Sequence, residues 1–394
     1  MATRSPDVVV DVAVFGGGIA GLWLLDRLRA AGYSAALFEA DRLGAGQTAA
    51  SQGIVHGGAK YTLGLRRSRA VAALKEMPAS WRRSLRGVAG PDLSKARELA
   101  AAFHLWIPKQ PGGGLLAGFS RSMLHGRVRR LPPSEWPSAL GGAAGSVYAL
   151  DDFVVDVPSV LEALRAAHTD CIRRLPAGAE PKFAEGEAIA QIGDVRVRAQ
   201  RVVFAAGAGN AELLARVGLG DVPHRRRPLH QLMVAGMTQP LYAHCAGRSA
   251  LPLATLTAHP LSPAEYVWYV GGRIAEDGVH ENREQLIERA RSELPRLFPG
   301  ADFGKARFAT VMVDRAEGAA PAAGRLAGPV VGEQGDFIAA WPSKLALAPA
   351  LADAVVARLG KRGVRAGESV TEALAALPPA EVARPPWEDV VSWS

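Results

Sequence analysis

Three glycines spaced Gly16-x-Gly18-x-x-Gly21, with Glu39 closing the next apolar run, are the first grouping in the chain whose residue types and spacing point to chemistry. In such a pattern the first glycine makes a tight turn, the second lets backbone approach a diphosphate, and the third lets a helix close onto a strand. A helix opening at Ile19 and Ala20 aims its first amides at the phosphates, because those N–H groups have no partner inside the helix. Glu39, with Ala40 beside it, stands where a carboxylate accepts hydrogen bonds from a ribose, and its charge favours a 2′-hydroxyl over a 2′-phosphate. The ligand so specified is an ADP moiety, which NAD and FAD share. A glycine turn that only packs a strand against a helix is the alternative.

The elements that must hold these residues follow from apolar spacing. Val10 to Phe15 predicts a buried strand, Ile19 to Ala31 a helix stopped by Gly32, and Tyr33 to Phe38 a second strand, so residues 10–39 form one βαβ unit. Residues 68–86 have helical spacing, and 90–150 is punctuated by Gly and Pro with a short strand at Phe103 to Ile107. Val195 to Val203 predicts a later strand of the same sheet, running into Ala205-Ala206-Gly207 and a helix through Leu213 to Val217. Tyr266 to Val270 predicts a strand, Glu281 to Leu297 a charged amphipathic helix, and Phe337 to Trp341 a strand before a helix from Pro349 to Leu359. From Pro378 the chain is Pro-rich and carries Trp387 and Trp393, a tail expected to pack onto the body. There is no internal repeat.

At 394 residues, 48% hydrophobic and 21% charged, the chain can bury a large core and is expected to form two domains around one site. Every apolar run is broken well before the roughly 18 residues a membrane span needs. Met1 to Asp11 lacks the pattern of a signal peptide, which leads to a cytoplasmic expectation, with contact at the inner face of the membrane left open. Cys171 and Cys245 are too few for a disulfide framework or zinc site, so free thiols and no metal are expected, and redox chemistry would need a bound cofactor. The net charge of +8 attracts anions generally. Its basic clusters, Arg66 to Arg69, Arg82-Arg83, Arg127 to Arg130 and His224 to Arg227, are dispersed and lack interleaved aromatics, which predicts no nucleic-acid partner.

Three further stretches carry a resemblance. Gly44 to Tyr61, which includes Gln47, Thr48, Ser51, Gln52, Gly53 and the triplet His56-Gly57-Gly58, is similar to the segment after the acidic residue in the D-amino-acid oxidase and glycerol-3-phosphate dehydrogenase superfamily of flavoproteins. Val202 to Gly207 resembles that superfamily's strand end near the flavin, and Trp341 to Pro349 resembles its C-terminal flavin loop. The resemblance implies FAD, with the small-residue segment along the diphosphate, ribityl chain and ring. Ala206 and Gly207 would approach the cofactor, and Ser343, Lys344 and Leu345 would lie by N1–C2=O, where a helix N-terminus stabilises negative charge. It further implies that His56 orients the flavin or accepts a substrate proton, with covalent attachment and a structural role as alternatives. Lys344 and Arg273 are candidates for holding an anionic group of the substrate, against a plain ion-pair role for each. Arg315 is a weaker candidate, flanked by Asp314 and Glu317, and Tyr61, Tyr266 and Tyr269 either line the pocket or pack.

The expected fold is therefore α/β, a Rossmann-like FAD-binding domain from residues 1–87, 149–219 and 323–394. A discontinuous α+β substrate domain, 88–148 and 220–322, would be built on a mostly antiparallel sheet. The expected reaction moves a hydride from a CH–OH or CH–NH carbon of a small, anionic substrate to flavin N5, and then electrons to oxygen, a quinone or another carrier. The rival readings are an NAD-binding dehydrogenase and a flavin-binding protein without turnover. No motif in the substrate segments names the substrate.

Overall fold

A computed structural model describes residues 7–57, 69–109, 128–184, 189–220, 222–247, 249, 251–318, 328–367 and 369–394. Strand β1 (Asp7–Phe15) is buried at every residue from Val10 onward, the continuous pattern of a parallel strand covered on both faces. It pairs in parallel with β2 (Ala35–Glu39) on one side and β12 (Val195–Phe204) on the other. Strand β9 (Ile172–Arg174) extends the sheet beyond β2, and β19 (Phe337–Trp341) extends it beyond β12, both parallel. The antiparallel strands β10 (Lys182–Ala184), β11 (Ile189–Ile192) and β18 (Val330–Gln334) complete it.

Register decides what this sheet does. Phe15 is level with both Phe38 and Phe204, so the chain leaves three strands at one edge, at Gly16, Glu39 and Ala205. That edge, at the carboxyl ends of parallel strands, is where such folds place ligands. Helix α1 (Ile19–Ala30) returns from the edge and ends at Gly32, whose φ of 88° is one that a side chain rarely adopts. Helix α2 (Arg69–Leu85) packs against α1 through Trp81 and Trp23, with ring centroids 4.6 Å apart. Helices α3 (Val157–Ala166), α4 (Asn210–Arg216) and α7 (Ala348–Lys361) complete the layers, with α1 packed on both α3 and α7.

A second sheet lies across that edge, in the order β17 (Arg307–Gly318), β13 (His224–Met237), β16 (Glu265–Gly271), β15 (Ala254–Ser262), β14 (Ala243–Cys245), β5 (Phe103–Pro108), β7 (Gly145–Leu150), β6 (Val128–Leu131). Only its β14–β5 pair is parallel. A short helix, α5 (Arg273–Asp277), follows β16. Helix α6 (Arg283–Leu297) seals the outer face through Leu286, Ile287, Ala290 and Leu294, against Leu232, Val234 and Trp268 of the sheet. It begins two residues later than its charge pattern predicts, because Asn282 and Gln285 close a capping box there. A small third sheet joins β3 (Ile54–Val55), β8 (Phe153–Val155) and β4 (Glu98–Ala100).

The long β13–β17 hairpin-like pair is not visible in the sequence, because its start reads as a basic surface cluster. In the structure Arg225 pairs with Glu317 at 3.0 Å, Arg226 with Asp314 at 3.0 Å, and Arg227 with Glu276 at 3.4 Å. Charge partners on β17 and α5 thus replace the alternation that marks a strand. The tail packs as expected. Its Val382 bridges Leu43, its Trp387 is buried among Met233, Val267, Tyr269 and Ala309, and its Ser394 exchanges backbone hydrogen bonds of 2.9 and 3.1 Å with Phe308. Cys171 and Cys245 are buried free thiols. No helix among the described residues is long and apolar enough to cross a membrane.

Candidate active site

A cavity of about 1000 Å³ runs from the carboxyl edge of the first sheet to the inner face of the second. Backbone builds its first end. Gly16, at φ 112°, lies so close to the end of β12 that a Cβ there would stand 2.5 Å from the Ala206 backbone, and a Cβ at Gly21 would fall on the Gly16 carbonyl oxygen. The Ile19 amide donates to Thr48 Oγ1 at 3.2 Å, while the Ala20 and Gly21 amides have no protein acceptor among the described residues. No acidic side chain sits in this first turn, so the helix itself adds no carboxylate to oppose its N-terminal dipole.

Glu39 projects across the turn. Its Oε2 accepts from the Gly17 amide at 2.5 Å and its Oε1 from the Asp41 amide at 3.0 Å. Burial pushes its carboxyl above the usual range, and the amides of Asp41, Gly17 and Ala40 pull it back.

The middle of the cavity depends on Asn210, which is fully buried. Its Oδ1 accepts from the Ala206 amide at 2.7 Å and its Nδ2 donates to the Ala340 carbonyl at 3.2 Å, tying the ends of β12 and β19 together. Trp341 Nε1 donates to the Gly207 carbonyl at 3.3 Å, and Trp81 Nε1 donates to the Ala346 carbonyl at 3.0 Å, which fixes the loop after β19. Ser343 in that loop has φ 61°, strained for a residue with a side chain. The buried hydroxyls of Ser51 and Ser343 have no hydrogen-bond partner among the described residues.

Side chains build the far end. Met233, Ala309, Val311 and Val313 line it from β13 and β17. Gln52 Nε2 donates to the carbonyls of Thr255 and Tyr269, at 2.8 and 2.9 Å, and Tyr269 Oη donates to the Ala50 carbonyl at 2.9 Å. These bonds lock residues 50–52 to the second sheet. The tail adds Arg384, Pro386 and Asp389 to Ser392 along the outer side of the whole cavity.

From residue 11 to 358 the chain matches the family described as FAD dependent oxidoreductase, DAO. The chain belongs to this family. It is 43% identical to the probable FAD-dependent oxidoreductase PA4991 of Pseudomonas aeruginosa, over 96% of this chain and 97% of that one. The crystal structure of PA4991 superposes with a TM-score of 0.83 at 39% identity, covering 97% of this chain and 98% of the other. Glycine oxidase from Geobacillus kaustophilus shares the fold at a TM-score of 0.62 and 21% identity, covering 95% and 100% of the two chains. Iminodiacetate oxidase from Chelativorans sp. BNC1 does so at 0.63 and 16%, covering 94% and 100%. The protein is an FAD-dependent oxidoreductase with a Rossmann-like cofactor fold, and the NAD-only and turnover-free alternatives are set aside.

The residues present fit FAD. Unopposed amides at Ala20 and Gly21, a turn too tight for a Cβ at Gly16, a carboxylate at Glu39 and an orphaned hydroxyl at Ser51 match a diphosphate, a ribose and a polar chain in sequence along one cavity. Of the residues anticipated for the cofactor, Gly16, Gly18, Ile19, Ala20, Glu39, Ala40, Gln47, Thr48, Ser51, Ala206, Gly207, Lys344 and Leu345 line it.

Others stand back from it. Gly21 serves the contact between helix and turn, and Gly53, at φ 68°, lies against the Val155 carbonyl. The Gln52 amide nitrogen is spent on the second sheet, and Ser343 sits behind Lys344. His56 is buried just after β3, beside Gly57, whose amide donates to Asp152 Oδ1 at 2.9 Å, and it is not among the lining residues described. Lys60 and Tyr61 lie outside the described residues.

Arg273 departs furthest from its expected place. It opens α5 on the far side of Gly272, and its guanidinium donates to the exposed Ser249 hydroxyl at 2.7 Å, so the turn after β16 carries it away from the cavity. Arg315 approaches Glu276 at 3.6 Å, while Asp314 and Glu317 pair with other arginines. Tyr266 packs in the core under α6, whereas Tyr269 clamps Ala50. Asn210, the β13–β17 wall and the tail carry no motif. The one local hint was the pair of tryptophans in a Pro-rich terminus.

Proposed function

We propose that FAD lies along this cavity, with its ADP half at Gly16–Glu39 and its ring between the loop after β19 and the wall of Met233, Ala309, Val311 and Val313. The substrate is a small amino acid or related amine, oxidised at the carbon bearing nitrogen. The observation that carries this is the continuity of one cavity from the glycine turn to an apolar sheet face. Two structural relatives, glycine oxidase and iminodiacetate oxidase, support small amino acids as the substrate class. Bound FAD supplies the acceptor for a hydride from the substrate carbon.

The chain's own residues do the rest. The apolar wall excludes water and limits substrate size. Lys344 faces the cavity from the loop and holds the substrate's anionic group, and the amides opening α7 oppose charge building on the ring edge. His56 orients the ring or takes the substrate proton. The first sheet with α1, α3 and α7 forms the cofactor domain and the second sheet the substrate domain.

An anaerobic screen tests this. Small amino acids and N-methylated amines are expected to bleach the flavin absorbance near ~450 nm. Bleaching only by hydroxy acids or glycerol phosphate would move the reacting carbon to one bearing oxygen. Hydrogen peroxide formed in air identifies an oxidase, and its absence with turnover on a quinone identifies a dehydrogenase. Sedimentation with anionic liposomes tests peripheral contact with a membrane.

A further inference from the structure

The diphosphate of FAD carries two negative charges, yet the backbone around the glycine turn offers only dipoles. The first turn of α1 is Ile19-Ala20-Gly21-Leu22, and residues 43–53 contain no Lys or Arg. The described cavity lining holds four cations, Arg216, Arg283, Lys344 and Arg384. Arg216 is held by Glu212 and Glu180, at 2.5 and 3.2 Å. Arg283 donates to the Ser392 carbonyl at 3.0 Å and lies 3.7 Å from Glu284. Lys344 belongs to the loop at the other end. Arg384 is exposed and has neither ion pair nor hydrogen bond among the described residues.

Its position is built. The Leu43 amide donates to the Glu381 carbonyl at 2.8 Å and the Ala383 amide to the Leu43 carbonyl at 3.0 Å. The Leu43 side chain leans on Gly17, where it occupies the space a Cβ would need. Arg384 therefore follows directly on a backbone bond to the residue packed against the glycine turn. Gly44, Ala45 and Gly46, next in the chain after Leu43, line the same cavity. Beyond Arg384, Pro385 and Pro386 restrict the backbone, and Trp387 is wedged against His259 and Tyr269 with ring centroids at 4.1 and 5.4 Å. Both sides of Arg384 are anchored while its side chain is left to the cavity.

We propose that Arg384, on the C-terminal segment, is the cation of the FAD diphosphate subsite. This rests on the placement of FAD proposed above. A guanidinium can meet phosphate oxygens with two parallel N–H bonds, which an ammonium cannot reproduce.

The test uses deflavinated full-length protein titrated with FAD by flavin fluorescence, with ADP and adenosine as competitors. Arg384→Gln is expected to raise the Kd for FAD and for ADP by about tenfold, to leave adenosine unchanged, and to flatten the salt dependence of FAD binding. Arg384→Lys should recover part of the loss. Unchanged FAD binding in Arg384→Gln, with Glu39→Gln weakened for all three ligands, overturns the assignment of Arg384 and leaves the cavity placement standing. An equal loss for adenosine overturns it as well, because the residue would then act through packing. If Glu39→Gln changes no ligand's affinity, the cavity placement itself fails and takes this proposal with it.

Discussion

The end of the cavity at Gly16–Gly21 is walled by backbone, whereas the end under β13 and β17 is walled by side chains drawn from residues 233, 309–313, 386 and 389–392. Backbone walls have few solutions. A turn that brings Gly16 against Ala206 admits no Cβ, and a helix end aimed at phosphate needs free amides rather than a particular side chain. Side-chain walls have many solutions, since any apolar set of similar volume closes the same space. On the proposed placement of FAD, one end answers to the cofactor, which is shared across the family, and the other to the substrate.

The contrast predicts its largest effect at the turn. Gly16→Ala should lower FAD affinity on the order of a hundredfold, since it combines a strained φ with a clash against backbone that cannot yield. Protein purified without yellow colour, yet folded by circular dichroism, is the expected result, and stoichiometric flavin would contradict it. Next is the opposite wall. Trp387→Ala empties a buried aromatic site between the tail and the second sheet and should cost about 3 kcal/mol in denaturant unfolding. It should also speed FAD exchange, whereas a mere loss of surface packing would leave exchange unchanged.

A pH-dependent effect comes from His259, stacked under Trp387 and fully enclosed, whose imidazole is pushed down to about 3 by burial. The unfolded chain binds this proton near its ordinary value of about 6.5, so below that pH unfolding takes up a proton that the native state refuses. Stability from this site is fully present above about 6.5 and falls by up to about 1.4 kcal/mol per pH unit towards 3. His259→Phe should flatten that part of the stability curve, and an unaltered curve would assign the acid loss elsewhere. The smallest effect belongs to Arg273→Ala. Among the described residues its side chain hydrogen-bonds only to an exposed serine, so kcat/KM should stay within about twofold of the parent. A large rise in KM would bring Arg273 back to the substrate.

Four of the eight strands of the first sheet, β1, β2, β12 and β19, were legible, because they are apolar or alternating runs and the turn after β1 is spelled in glycine. The edges of helices were less so: α6 waits for the Asn282 capping box, which the charged residue at 281 obscures. The hairpin-like pair of β13 and β17 was hidden, because Arg225 and Arg226 find carboxylates about ninety positions later, at Glu317 and Asp314. Among candidate site residues, those placed by local backbone, Gly16 to Ala20 and Glu39 to Thr48, reach the cavity together. Arg273 is not among the cavity-lining residues, because the chain turns through a positive φ at Gly272 just before it.

By itself the amino-acid sequence determined the ADP-binding unit, which depends on short-range sterics (where a Cβ is forbidden, where a helix begins, and which strand end carries an acid), while its resemblance to a flavoprotein superfamily pointed to FAD. Only the tertiary structure decided that Asn210 joins two strand ends, that Gln52 and Tyr269 fasten the flavin segment to the second sheet, and that the last fourteen residues form a wall of the cavity with Arg384 turned towards it. Those contacts join residues up to several hundred positions apart. Each is set by the packing of whole layers, and no local spacing records it.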